Sequence, residues 1–306
     1  MPLDPRLAPV LALLAAEPVN TTGTAAERRA DALARRAVRN LPLEGAGPDG
    51  LAIRDVTAAG VPVRVYRPGP GRLPAVLYVH GGGWWGGSVD ESDPTCRRKA
   101  QDLGAVVVSV EYRLAPEHPF PAGLDDCSAA ARWMFDEADE LGIDPARIAI
   151  CGASAGGNLA AAVTLRARDE GGPRFVAQVL EVPGMDLRMV GGSMDLYADG
   201  YGFTRAGLDE CREFYVAGGD PTDPLVSPVF ADVHDLPPAL VTTSEYDPVR
   251  DSGEQYAAKL AAAGVPTVLH RWDGIAHGCG ELDAILPDIA AAYREELNGF
   301  LKAHLA

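Results

Sequence analysis

Eight apolar runs recur along the chain, at residues 51–57, 61–67, 74–79, 105–111, 147–151, 175–182, 239–244 and 265–272, most of them separated by stretches of helical character. Continuous apolar runs with helical crossovers predict a mostly parallel eight-stranded sheet with helices on both faces. Only the short Ala59-Gly60 turn joins the first two runs, so these should pair as an antiparallel hairpin. Ahead of the sheet, residues 3–39 read as two helices. Thr24 and Glu27 make a capping box for the second, whose arginines at 28, 29, 35, 36 and 39 read as a solvated face. Residues 45–50, rich in glycine, read as a flexible joint. Between Pro183 and Pro221 the rhythm breaks, with glycines at 191, 192, 200 and 202 among aromatic residues. Periodicity alone predicts a helix there over 206–216.

The chemistry concentrates where strands end. Gly152-Ala153-Ser154-Ala155-Gly156 lies between the apolar run 147–151 and the alanine-rich stretch 158–168, the context a nucleophile elbow needs. A serine pushed out on a tight strand-to-helix turn crowds its neighbours, so the flanking positions must lack bulk. The helix behind Ser154 would aim amide N–H groups at charge developing above the serine. The plain alternative is a Gly/Ala/Ser turn that caps a helix. The second segment, His80-Gly81-Gly82-Gly83-Trp84, follows the run 74–79. Glycines let backbone N–H groups approach a substrate oxygen, and such a segment after the third strand supplies the second half of an oxyanion hole. Read instead as a phosphate cradle, it lacks GxGxxG or GxxxxGK[ST] spacing.

A serine nucleophile needs a base, and the base an orienting carboxylate. Of six histidines, His277 sits in a loop between the last apolar run and the C-terminal helix, whereas His80, His118, His234, His270 and His304 occupy less suitable places. The order Ser, acid, His places the acid between 154 and 277, after a strand. Asp247 follows the run 239–244 and precedes Pro248. Asp251, in the first turn of the next helix, and Asp273, four residues before His277, are its rivals.

These segments, together with Glu111-Tyr112-Arg113-Leu114-Ala115-Pro116-Glu117, Glu245-Tyr246-Asp247-Pro248 with Arg250-Asp251, and His277-Gly278, resemble the hormone-sensitive-lipase-like branch of the α/β-hydrolases, the bacterial carboxylesterases. The resemblance implies an α/β-hydrolase fold with a helical cap, made of residues 1–45 and an insertion around 184–220, on a catalytic domain spanning 46–306. It implies Ser154, Asp247 and His277 as the triad, and the N–H groups of Gly82, Gly83 and Ala155 as the oxyanion hole. Trp84, Trp85, Phe203 and Phe214 are the candidates for the pocket wall. It further implies esters of short to medium acyl chain as substrates, and no cofactor. Two positions depart from the family pattern: Ala153 stands where an aspartate is common, and Cys279 where phenylalanine is usual. Neither is a reacting group, and both bear on substrate range. An amide hydrolase such as an arylformamidase, and a non-catalytic ligand-binding hydrolase fold, are the alternatives.

Charge changes the picture in one respect. The formal net charge of −16, from 27 basic and 43 acidic residues, argues against a nucleic-acid or anionic-membrane partner. The expected partners are a small-molecule ester and at most a second copy of the chain. Five cysteines without a CxxC pair suit a reducing compartment, and neither Cys nor His shows metal-ligand spacing. Residues 1–17 lack the basic leader and long apolar core of a signal peptide, which points to the cytoplasm. Cys279, two residues from the candidate base, is the thiol to watch for reactivity.

Overall fold

The computed structural model describes residues 1–16, 22–39 and 45–306. Eight strands form one sheet: β1 (Ala52–Ala58), β2 (Val61–Arg67), β3 (Leu73–Val79), β4 (Val106–Val110), β5 (Ile143–Ala153), β6 (Gln178–Glu181), β7 (Ala239–Tyr246) and β8 (Thr267–Ala276). Their order across the sheet is β1-β2-β4-β3-β5-β6-β7-β8. β1 pairs antiparallel with β2, as the short turn predicts, and β2 antiparallel with β4; every later pair is parallel.

The helices, in chain order, are α1 (Ala8–Ala16), α2 (Ala25–Arg39), α3 (Asp93–Leu103), α4 (Ala122–Asp136), α5 (Ala138–Leu141), α6 (Ala155–Asp169), α7 (Gly192–Tyr197), α8 (Arg205–Val216), α9 (Arg250–Ala262) and α10 (Pro287–Leu305). Side chains alternate across each central strand. Ala75, Leu77 and Val79 of β3, with Ile148 and Ile150 of β5, join the core shared with α4, α6 and α9. Val76 and Tyr78, with Ala149 and Cys151, face α3 and α10. Because both sets are buried, a one-residue slip would exchange two packed faces, so register is strongly specified. That register brings the ends of β3, β5, β7 and β8 to one edge of the sheet.

Two boundaries move from the sequence reading. β8 runs on to Ala276, which places Asp273 on a strand, exposed, rather than in the histidine loop. β6 is four residues long, shorter than the apolar run that contains it. In the N-terminal region, the capping box is present: the Thr24 N–H donates to Glu27 Oε2 at 2.8 Å and the Glu27 N–H to Thr24 Oγ1 at 3.2 Å. Residues 17–21 and 40–44 lie outside the described residues, whereas the joint 45–50 lies within them and forms neither helix nor strand. The solvated-arginine reading fails for two members of its set. Arg28 is buried, donates to Glu210 Oε1 of α8 at 2.6 Å, and lies over the Trp85 ring. Arg29 donates to the carbonyl of Ala115 at 2.9 Å and to Glu117 at 2.8 Å. A guanidinium fork can satisfy several acceptors at once, which a count of charges along α2 does not reveal. The side chains of 35, 36 and 39 lie outside the described residues.

Candidate active site

Ser154 occupies the turn between β5 and α6 with φ 55° and ψ −118°, a backbone region that costs a non-glycine residue on the order of 1–3 kcal/mol. The surroundings force it. A Cβ on Gly152 would lie 2.2 Å from the Gly156 carbonyl oxygen, and one on Gly156 would lie 2.1 Å from the Val79 carbonyl oxygen, so neither position accepts a side chain. The Ser154 N–H donates to the Glu181 carbonyl at 2.7 Å, which ties the elbow to the end of β6.

His277 follows β8 directly, and its Nε2 lies 2.9 Å from Ser154 Oγ. Its Nδ1 lies 2.7 Å from Asp247 Oδ2. Asp247, fully buried at the end of β7, uses Oδ1 to accept the Val249 N–H at 2.9 Å. A carboxylate beside Nδ1 selects the tautomer that carries its proton there, leaving the Nε2 lone pair to accept the serine hydroxyl. The rivals are placed elsewhere. Asp251 accepts the Ser193 N–H at 2.8 Å and the Arg250 Nε–H at 2.9 Å, which clamps α7 to α9. Of the other histidines, His270 meets Glu296 at 2.6 Å, His234 meets Asp232 at 2.7 Å, and His80 Nδ1 turns back to the Gly81 carbonyl at 2.8 Å.

The glycine loop crosses above the elbow. Gly82 and Gly83 have φ of 124° and 64°, and a Cβ on Gly82 would meet the Gly86 carbonyl oxygen at 2.2 Å. Neighbouring groups hold the loop: the Gly86 N–H donates to the Gly82 carbonyl at 2.9 Å, and the Ala115 N–H to the Trp84 carbonyl at 3.0 Å. Tyr112 stacks on His80 with ring centroids 4.3 Å apart and donates its hydroxyl to the His80 carbonyl at 3.0 Å. The segment that begins at Tyr112 therefore braces the loop through a ring and a peptide N–H, while Arg113 pairs with Asp126 at 2.8 Å. Gly82, Gly83, Ser154, Ala155 and His277 all border one cavity of about 430 Å³. Ala155 opens α6, where the first amides of a helix lack intrahelical partners and favour negative charge.

Among the described residues, no Asp, Glu, Lys or Arg borders that cavity. Trp84 and Trp85 both border it, as does Phe203, whose ring meets His277 edge-on at 4.9 Å. Phe214 does not. It packs edge-on against Trp85 at 5.9 Å, on the side of Arg28. The sequence reading missed Val10 and Leu14 of α1, Leu208 and Cys211 of α8, Met189, Val249 and Leu282, which also border the cavity. The wholly apolar sequence of α1 (APVLALLAA) was the available signal. Cys279 is buried beside the loop at the edge of the same cavity, and burial pushes its thiol up to about 12, which disfavours the reactive thiolate.

Among the described residues, no group of three or more His, Cys, Asp or Glu is placed to hold a metal ion, and no helix is long and apolar enough to cross a membrane. A family model described as an alpha/beta hydrolase fold matches residues 76–280. Carboxylesterase NlhH of Mycobacterium tuberculosis is 43% identical over 264 residues, covering 84% of this chain and 81% of that protein. An arylesterase of Saccharolobus solfataricus is 43% identical over 222 residues, 71% and 72% of the two chains. Among solved structures, a hyperthermophilic esterase from Pyrobaculum calidifontis superposes with a TM-score of 0.88 at 39% identity, covering 99% of each chain.

Proposed function

The chain belongs to the hormone-sensitive-lipase-like family of α/β-hydrolase carboxylesterases, and from that premise we propose that it cleaves esters of short to medium acyl chain through an acyl-enzyme on Ser154. The observation that carries this reading is the continuous hydrogen-bonded line from Asp247 through His277 to Ser154, at 2.7 and 2.9 Å. His277 takes the serine proton as Oγ attacks the ester carbonyl, then delivers it to the departing alcohol. Water, activated by the same imidazole, releases the acid. The N–H groups of Gly82, Gly83 and Ala155 receive the oxyanion, in a largely apolar pocket where such dipoles act strongly. A wall whose described residues carry no charged side chain favours neutral acyl and alcohol groups. A fluorophosphonate should label Ser154 stoichiometrically, and an aryl ester should turn over far faster than its matched anilide. Comparable rates on the pair would point to an amide hydrolase instead.

The N-terminal helices and the insertion around 184–220 act in this reading as the cap. Val10 and Leu14 border the cavity, while Leu7 and Leu11 of the same segment pack on Ile275, Ala276 and Cys279 around the histidine loop. The segment thus has two roles that deletion would confuse, so a point change is the better test. Leu14→Trp should lower kcat/KM on an aryl octanoate by about tenfold or more, the scale on which an apolar pocket discriminates, and leave an aryl acetate within about threefold. Equal losses on both esters would remove Leu14 from the acyl pocket.

A further inference from the structure

On the face of the sheet covered by α3 and α10 lies a charged pair that the reaction at Ser154 does not use. Lys99 Nζ donates to Glu181 Oε1 at 3.1 Å, with side-chain exposures of only 5% and 4%. Tyr293 donates its hydroxyl to Glu181 Oε2 at 3.2 Å and stands 3.1 Å from Thr242 Oγ1. Lys99 Nζ also lies 5.8 Å from the centroid of the Tyr78 ring. An ion pair this deep is weak evidence for stability, because desolvation offsets much of the attraction. Its attachments are more informative.

Glu181 is the residue whose carbonyl accepts the Ser154 N–H. Tyr78 lies two residues before His80, on the strand that leads into the glycine loop. One helical turn before Lys99, Thr95 donates its hydroxyl to Glu281 Oε2 at 2.8 Å, and Glu281 ends the turn Cys279–Glu281 directly after His277 and Gly278. Residues four apart on a helix share a face, so Thr95 and Lys99 present one polar edge of α3 to the end of β6 and to the histidine loop together. Burial alone would lower the ammonium's pKa, but the carboxylates of Glu181 and Glu281 hold it above the ordinary lysine range.

We propose that Lys99 is a positioning residue, which with Thr95 fixes the Ser154 elbow and the His277 loop to a single helix through Glu181 and Glu281. This rests on the triad reading given above. Without the ammonium, Glu181 must take up a proton or draw in water, and the end of β6 that holds the Ser154 N–H moves with it. A displacement of about 1 Å between reacting groups can cost on the order of 10²-fold in rate.

The test uses the full chain with active sites counted by fluorophosphonate labelling. In Lys99→Met, kcat on an aryl acetate per labelled site should fall by about tenfold or more while KM stays within about twofold, the signature of lost alignment rather than lost binding. The second variant, Lys99→Met with Glu181→Leu, leaves neither charge buried and unpaired, so it should fold even where the single variant does not. It should keep the reduced kcat per labelled site. A purely structural pair would instead move the melting temperature and the labelled fraction and leave the rate per labelled site unchanged. Wild-type kcat per labelled site in either variant would overturn the proposal. Failure of the wild-type chain to label at Ser154 would overturn the triad reading on which it stands.

Discussion

Ser154→Ala protein should keep the wild-type fold and lose ester turnover, with kcat falling on the order of 10⁴-fold or more. The size follows from what the change removes. Without Oγ there is no acyl-enzyme, and His277 loses the group it activates, so only the oxyanion donors and substrate binding remain to help water attack. The fold should survive because the elbow is held by its backbone: the Ser154 N–H bond to Glu181 and the close packing at Gly152 and Gly156 do not involve Oγ. Alanine accepts the φ of 55° no worse than serine does. Circular dichroism and melting temperature would check the fold, and pre-steady-state hydrolysis of an aryl acetate would check the burst. A pure variant that turns over the acetate near the wild-type rate would remove Ser154 from the chemistry.

Much of the architecture was legible because sheet strands buried on both faces leave a strong signal. The runs around β3, β4 and β5 are apolar at nearly every position, Ser109 of β4 and Arg147 at the head of the third run being exceptions, since alternate residues face different helix layers. Strand-end chemistry was legible for a related reason, as glycines at 82, 152 and 156 are demanded by backbone contacts that no larger residue tolerates. The pocket was less legible. Phe214 and Cys211 lie three residues apart on α8, yet only Cys211 borders the cavity, and which helix face looks inward depends on how the insertion docks. The charged network was hidden altogether. Nothing in the spacing of Thr95, Lys99, Glu181 and Glu281 announces that they converge, because they belong to three elements brought together only by the parallel topology. Arg28 and Arg29 misled for the same reason: their acceptors on α8 and at residues 115–117 are remote in sequence.

Asp247→Asn should be nearly as damaging as loss of the serine, with kcat falling on the order of 10³–10⁴-fold, while Asp251→Asn should stay within about threefold of wild type. The geometry of Asp247 gives the reason. Its Oδ1 accepts the Val249 N–H, and its Oδ2 faces His277 Nδ1. In the asparagine variant the amide oxygen stays with the Val249 donor, so the NH₂ group is left against Nδ1. Two donors cannot share that contact. The imidazole must then give its proton to Nε2 and use Nδ1 as the acceptor, which presents an N–H to Ser154 Oγ where a lone pair is needed. The same variant also removes the negative charge that would stabilise the imidazolium formed during attack. Asp251 makes no such contact. It secures Ser193 at the start of α7, so Asp251→Asn should chiefly loosen the α7–α9 clamp and lower the melting temperature slightly. The pair of variants is decided by kcat on an aryl acetate, with sites counted by phosphonate labelling. Severe loss in Asp251→Asn alongside near-normal turnover in Asp247→Asn would move the orienting acid from the end of β7 to the first turn of α9.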